Sequence, residues 1–136
     1  MANQHESRKM AIPEIHPEHE EYWRAASEGR LLIKLCTSCE EYHYFPRVLC
    51  PFCMSHRTEW KESKGTGSIY TYSVMRRGVP YAIAFVELDE GPRMMTNIVD
   101  CDLDTIHIGQ RVKIAFKQTG DRDNPGSFVP CFTPVE

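Results

Sequence analysis

A chain of 136 residues, 41% hydrophobic and 26% charged, can form one ordinary domain or two small ones sharing an interface, and it is too apolar for disorder. Its 19 acidic and 16 basic residues leave a net charge of −3, which argues against a general nucleic-acid binder. No apolar run approaches the ~20 residues of a membrane span, and the amino end lacks the apolar core of a signal peptide, so the sequence predicts a cytoplasmic chain without membrane contact.

Residues 1–13 read as a loosely held polar tail. The run from His16 to Gly29 predicts a short helix. Pro17 suits its first turn, the following glutamates suit its positive end, and Gly29 suits the stop. Tyr22, Trp23 and Ala26 would share one face, packed on neighbouring segments and offered in part to a partner.

Leu31 to Leu35 predicts a strand entering a cysteine pair, Cys36 and Cys39. Tyr42 to Arg47 predicts the return toward a second pair, Cys50 and Cys53, and Glu59 to Ser63 a strand leaving it. Two CxxC knuckles separated by ten residues are the most specific motif in the chain. Zinc prefers four thiolates at tetrahedral angles, and paired knuckles supply them; iron suits the same donor set. A redox motif would use one CxxC in a thioredoxin-like setting, and a reducing compartment disfavours disulfides. A filled four-thiolate site is structural, because no position remains for a reacting water. With zinc bound, the net charge would fall to about −5. Cys101 and Cys131 read as free thiols in apolar surroundings.

Lys64 to Gly67 is a turn and marks the boundary between residues 14–63, helix plus ribbon, and residues 64–136. Beyond it the pattern is all β. Gly67 to Met75, Tyr81 to Leu88, Arg93 to Val99, Arg111 to Lys117 and Phe128 to Phe132 predict five strands. Met94, Thr96 and Ile98 alternate along the third; Val112, Ile114 and Phe116 point inward along the fourth. Residues 118–127 read as a polar loop. Five short strands suit a small closed barrel of the OB type, giving a mainly β fold.

The ordered set of motifs is similar to one family. It runs from Tyr22-Trp23-Arg24-Ala25-Ala26 through Gly29-Arg30-Leu31-Leu32, the four cysteines and Phe45-Pro46-Arg47. It continues through Gly65 and Gly67, Pro80-Tyr81, Leu88 to Arg93, Asn97-Ile98 and Ile108-Gly109. Over about residues 14–133 the chain resembles the domain-of-unknown-function 35 proteins, a rubredoxin-like zinc ribbon followed by an OB-fold. The resemblance implies an acyl-CoA-binding accessory subunit rather than a free-standing enzyme. Family members pair with thiolase-like enzymes, including archaeal thiolase/synthase assemblies and sterol side-chain lyases, or with MaoC-like enoyl-CoA hydratases. A homodimer or hetero-oligomer is expected.

No catalytic constellation is evident: there is no GxSxG, P-loop or HExxH, and the histidines are scattered. Given the resemblance, Arg47, Arg76, Arg77 and Tyr81 are the candidate CoA contacts, edging a cleft between ribbon and barrel. Guanidinium forks fit phosphates and an aromatic ring can stack on adenine. The alternative is a nucleic-acid-binding module, with Tyr70, Tyr72 and Phe85 stacking bases on a barrel face.

Overall fold

The computed structural model describes residues 10–135. A 3-10 turn, Pro17–His19, runs into helix α1, Glu20–Ser27. The helix ends in a hydrogen-bonded stop. Arg30 N–H donates to Ala25 O and Gly29 N–H to Ala26 O, at 2.9 and 3.1 Å. Gly29 takes φ +80°, a left-handed conformation that an L side chain would resist.

Three short antiparallel strands follow, β1 (Leu32–Cys36), β2 (Tyr42–His43) and β3 (Thr58–Glu62), in the order β2-β1-β3. The return strand expected from Tyr42 to Arg47 stops at His43. There the buried His43 ring accepts the Arg47 N–H at Nε2, 3.1 Å, closing a loop where a strand would have continued.

The rest forms a closed barrel from β4 (Thr66–Met75), β5 (Tyr81–Leu88), β6 (Arg93–Ile98), β7 (Arg111–Gly120) and β8 (Pro125–Pro134), in the order β4-β5-β6-β8-β7. Antiparallel β4–β7 pairing, Gly67 opposite Val112, closes it, and β6 meets β8 in parallel, Ile98 opposite Phe132. Among the described residues, closure leaves the barrel without a free edge, while the ribbon sheet keeps β2 and β3 as its edges. Gly67 is also crowded by the neighbouring β5, where a Cβ would run into the backbone of Glu87. A bulge between Ile69 and Thr71 resets the alternation of β4.

The polar segment 118–127 is mostly strand, contrary to the loop expected. Gln118 pairs with Phe128 and Gly120 with Pro125. Thr119 is buried and donates from Oγ1 to Ser127 O at 2.7 Å. The ladder satisfies the backbone, so polar side chains do not prevent the strand.

One cluster of buried side chains runs through helix, ribbon and barrel, from Tyr22, Ala25, Leu31 and Ile33 to Ile69, Val86, Met94 and Phe132. Helix α1 packs on β1 and on barrel strand β8. Its buried face is Tyr22, Ala25 and Ala26, with Trp23 half-buried at the edge. The face expected to be offered in part to a partner is therefore spent within the chain. Part of the expected tail is held as well: Gly120 N–H donates to Met10 O at 3.1 Å. Residues 1–9 of that tail lie outside the described residues. Among the described residues, no helix is long and apolar enough to cross a membrane.

Candidate metal centre

The two knuckles are built alike. Cys36 N–H donates to Glu41 O, and Cys50 N–H to Ser55 O, each at 2.9 Å. Glu40 N–H returns to Cys36 O, and Met54 N–H to Cys50 O, each at 2.8 Å. Glu40 and Met54 both take left-handed φ, 61° and 64°. This repeated turn aims the two sulfurs of each pair at one point. The pairs are joined by Ser38 Oγ and Ser55 Oγ at 2.9 Å and by Thr37 N–H to Arg57 O at 2.8 Å.

All four sulfurs lie within 4.8 Å of one another. Cys36 Sγ is 3.6 Å from Cys53 Sγ, and Cys39 Sγ is 3.7 Å from Cys50 Sγ. A tetrahedral ion with metal–sulfur bonds of ~2.3 Å requires sulfurs about 3.8 Å apart, so the donor set fits a metal ion. Phe52 N–H points at Cys50 Sγ from 3.4 Å, the contact expected of a thiolate acceptor. Backbone N–H donation, first from Cys39, pulls the Cys36 thiol down to about 6, while burial pushes the Cys39 thiol up to about 12. Without a cation, Cys36 ionises readily while the Cys39 and Cys53 thiols hold their protons more tightly than a free thiol does. Binding a dication releases those protons and couples affinity to pH.

Around the centre lie two grooves. One, of about 560 Å³, runs along the ribbon and is lined by His19, Phe45, Arg47, Val48, Leu49 and Met54 among others. The other, of about 310 Å³, is the cleft between ribbon and barrel, lined by Glu41, Tyr42, Phe52, Glu87, Glu90 and Arg93 among others. The structure therefore gives the ribbon–barrel cleft a different lining from the one expected. Arg47 faces the ribbon groove instead. Arg76, Arg77 and Tyr81 belong to the β4–β5 hairpin, where Tyr81 opposes Met75 and Arg76 donates to Asp104 Oδ1 at 2.8 Å. Arg93, which the sequence did not single out, lies 3.9 Å over the ring of Tyr70. Tyr70, Tyr72 and Phe85 are exposed on the barrel.

Comparison with known proteins covers both parts of the fold. Residues 23–59 match the family described as the ChsH2 rubredoxin-like zinc ribbon domain, and residues 60–117 the ChsH2 C-terminal OB-fold domain. A DUF35 domain-containing scaffold protein of Methanocaldococcus jannaschii is 34% identical over 126 residues, covering 84% of this chain and 89% of the relative. A probable enoyl-CoA hydratase alpha subunit of Thermomonospora curvata is 33% identical over 129 residues, 90% of this chain. This chain spans only 39% of that relative's length. Among solved structures, an Ltp2-ChsH2(DUF35) aldolase chain matches with a TM-score of 0.74 at 33% identity, covering 90% of this chain and 98% of that one. The chain belongs to the DUF35 family, with a zinc ribbon of the ChsH2 type joined to an OB-fold.

Proposed function

We propose, from membership of that family, that the chain is an accessory subunit of an acyl-CoA enzyme complex. It would bind a CoA thioester, or cover one held by its partner, and complete or stabilise a thiolase-like or MaoC-like enzyme. The observation that carries this reading is the match of ribbon and barrel together to proteins named as scaffolds and to a chain of a structure named Ltp2-ChsH2(DUF35) aldolase. The named hydratase alpha subunit supports acyl-CoA chemistry in the partner.

The ion proposed at Cys36, Cys39, Cys50 and Cys53 is zinc, with iron as its replacement. When bound it supplies cross-linking charge and no reacting water, because every position is taken by sulfur. The chain's own residues do the scaffolding. The knuckle turns hold the ribbon, α1 ties ribbon to barrel, and the proposed unit boundary at residue 64 is held against the barrel by Glu90. Arg47, Arg76, Arg77 and Tyr81 are the proposed CoA contacts. They stand on two separate parts of the fold, which suits a thioester enclosed jointly with a partner better than a pocket within this chain.

The test is native purification from the source cell with the metal measured in the same sample, then titration calorimetry with acyl-CoA. A thiolase-like or hydratase partner, one zinc per chain, and a lower KM of the partner for acyl-CoA are expected. A chain that carries nucleic acid, or one that neither binds acyl-CoA nor changes the partner's KM, overturns the reading.

A further inference from the structure

The ribbon exposes apolar side chains in an unusual concentration. Phe45, Val48, Leu49, Phe52 and Met54 are 37%, 50%, 44%, 64% and 66% exposed, all between positions 45 and 54. Isolated surface hydrophobics are ordinary, but a contiguous set beside a groove marks a contact surface. Four of the five line the groove of about 560 Å³, while Phe52 lines the separate cleft between ribbon and barrel.

The backbone that carries these side chains is held at several points, and the Phe45 ring is packed. Cys50 and Cys53 bracket Phe52 within the candidate metal centre, and Thr58 Oγ1 fixes Val48 O at 2.9 Å. His19 donates from Nε2 to Pro46 O at 3.0 Å and sets its ring 4.7 Å from Phe45. A surface already ordered loses little conformational entropy on binding.

Its charge is equally specific. In a chain with more acidic than basic residues, positions 42–58 contain no Asp or Glu and two arginines, Arg47 and Arg57. Arg47 lines the groove, whose carboxylate is Glu18, from the 3-10 turn. An apolar centre with a guanidinium on its rim complements a protein surface that offers an apolar ridge flanked by carboxylates.

We infer that this ribbon groove is the docking surface for the enzyme subunit of the complex, which inserts an apolar ridge against Val48, Leu49 and Met54 and a carboxylate against Arg47. The assignment rests on the accessory-subunit reading and adds the face that does the docking. It separates that face from the barrel, where Phe85 and Met95 oppose each other on β5 and β6 and are also exposed.

The probe is the thiolase-like or hydratase subunit that purifies with the full-length, metallated chain. Its affinity for the wild type, Val48→Glu, Met54→Glu and Met95→Glu would be measured by calorimetry, with metal content and Tm recorded for each. Val48→Glu and Met54→Glu should weaken binding at least tenfold with metal content and Tm retained, while Met95→Glu binds as the wild type does. Arg47→Glu should weaken binding and flatten its salt dependence. Unchanged binding by the Val48 and Met54 variants, or loss confined to Met95→Glu, overturns the surface assignment and leaves the accessory reading standing. A wild type that binds no such subunit overturns both. Concentration-dependent self-association abolished by Val48→Glu would assign the groove to a second copy instead.

Discussion

Glu90, at the β5–β6 turn of the barrel, accepts a hydrogen bond from Ser63 at the end of the ribbon, Oε1 to Oγ, 2.9 Å. Its other oxygen accepts Lys64 N–H at 2.8 Å, and Ser63 Oγ in turn accepts Gly65 N–H at 3.0 Å. One carboxylate thus clamps the point where ribbon becomes barrel. Ser63 is buried, so removing its partner leaves a desolvated hydroxyl. Glu90→Ala should cost about 1–3 kcal/mol, read as a lower midpoint in urea melts. A midpoint equal to wild type would show that the two parts are held without this clamp.

Cys39→Ser should abolish stoichiometric metal binding and unfold the segment from Arg30 to Ser63. Leu32 and Ile33 of β1 are buried in the shared core, but the strands are short and the four-sulfur site joins the turns between them, so metal binding supplies much of the segment's folding free energy. Hydrogen exchange followed by mass spectrometry would read this directly. Protection should vanish over β1 to β3 and persist over β5 and β7. A chelator added to the wild type should reproduce the pattern, and uniform protection in both would contradict it.

Alternation along the fourth barrel strand puts Phe116 inward, yet the packing ranks it below a residue on the next strand. Phe132 is fully buried, whereas Phe116 is half-buried against the core. Phe132→Ala should cost about 3–5 kcal/mol, and Phe116→Ala clearly less. Chemical denaturation of both variants decides the order, and a larger loss at Phe116 would mean that the barrel centre lies elsewhere.

Arg111 donates two bonds of 2.9 Å to Asp89, and Thr66 adds a third. These bonds hold the Asp89 carboxyl at about 2, below its ordinary 3.8. A depressed carboxyl stabilises the fold at pH values above its ordinary range, and that contribution fades as pH falls through the folded value. Asp89→Asn should therefore lower stability by about 1 kcal/mol or less, since the pair is partly exposed. The gap from wild type should stay constant between about pH 7 and 5 and narrow below about 4. Thermal melts of both proteins across that range would test it. A gap that widens on acidification would show that another group controls this corner.

Much of the fold could be read from residue order because its signals are local. Two CxxC pairs define a four-sulfur site wherever the ribbon folds, since each knuckle is a short turn whose geometry depends on its own backbone. The alternation of Met94, Thr96 and Ile98 against exposed neighbours likewise reports one covered sheet face. Helix α1 announced itself through Pro17 and Gly29.

What the sequence could not supply was pairing at a distance. Polarity at 118–127 suggests a loop; only the β7–β8 ladder makes it strand. The aromatic face of α1 suggests a partner surface in part, and only its packing on β8 shows the chain using that face itself. Arginines on separate segments can be imagined around one cleft, but the closed barrel sends Arg76 and Arg77 to a hairpin and leaves Glu41, Glu87 and Glu90 lining the ribbon–barrel cleft. Short-range chemistry determined the knuckles and the strands, because bonded neighbours carry it. Side-chain neighbours across the fold were decided by barrel closure and helix docking, because those depend on contacts between residues far apart in the chain.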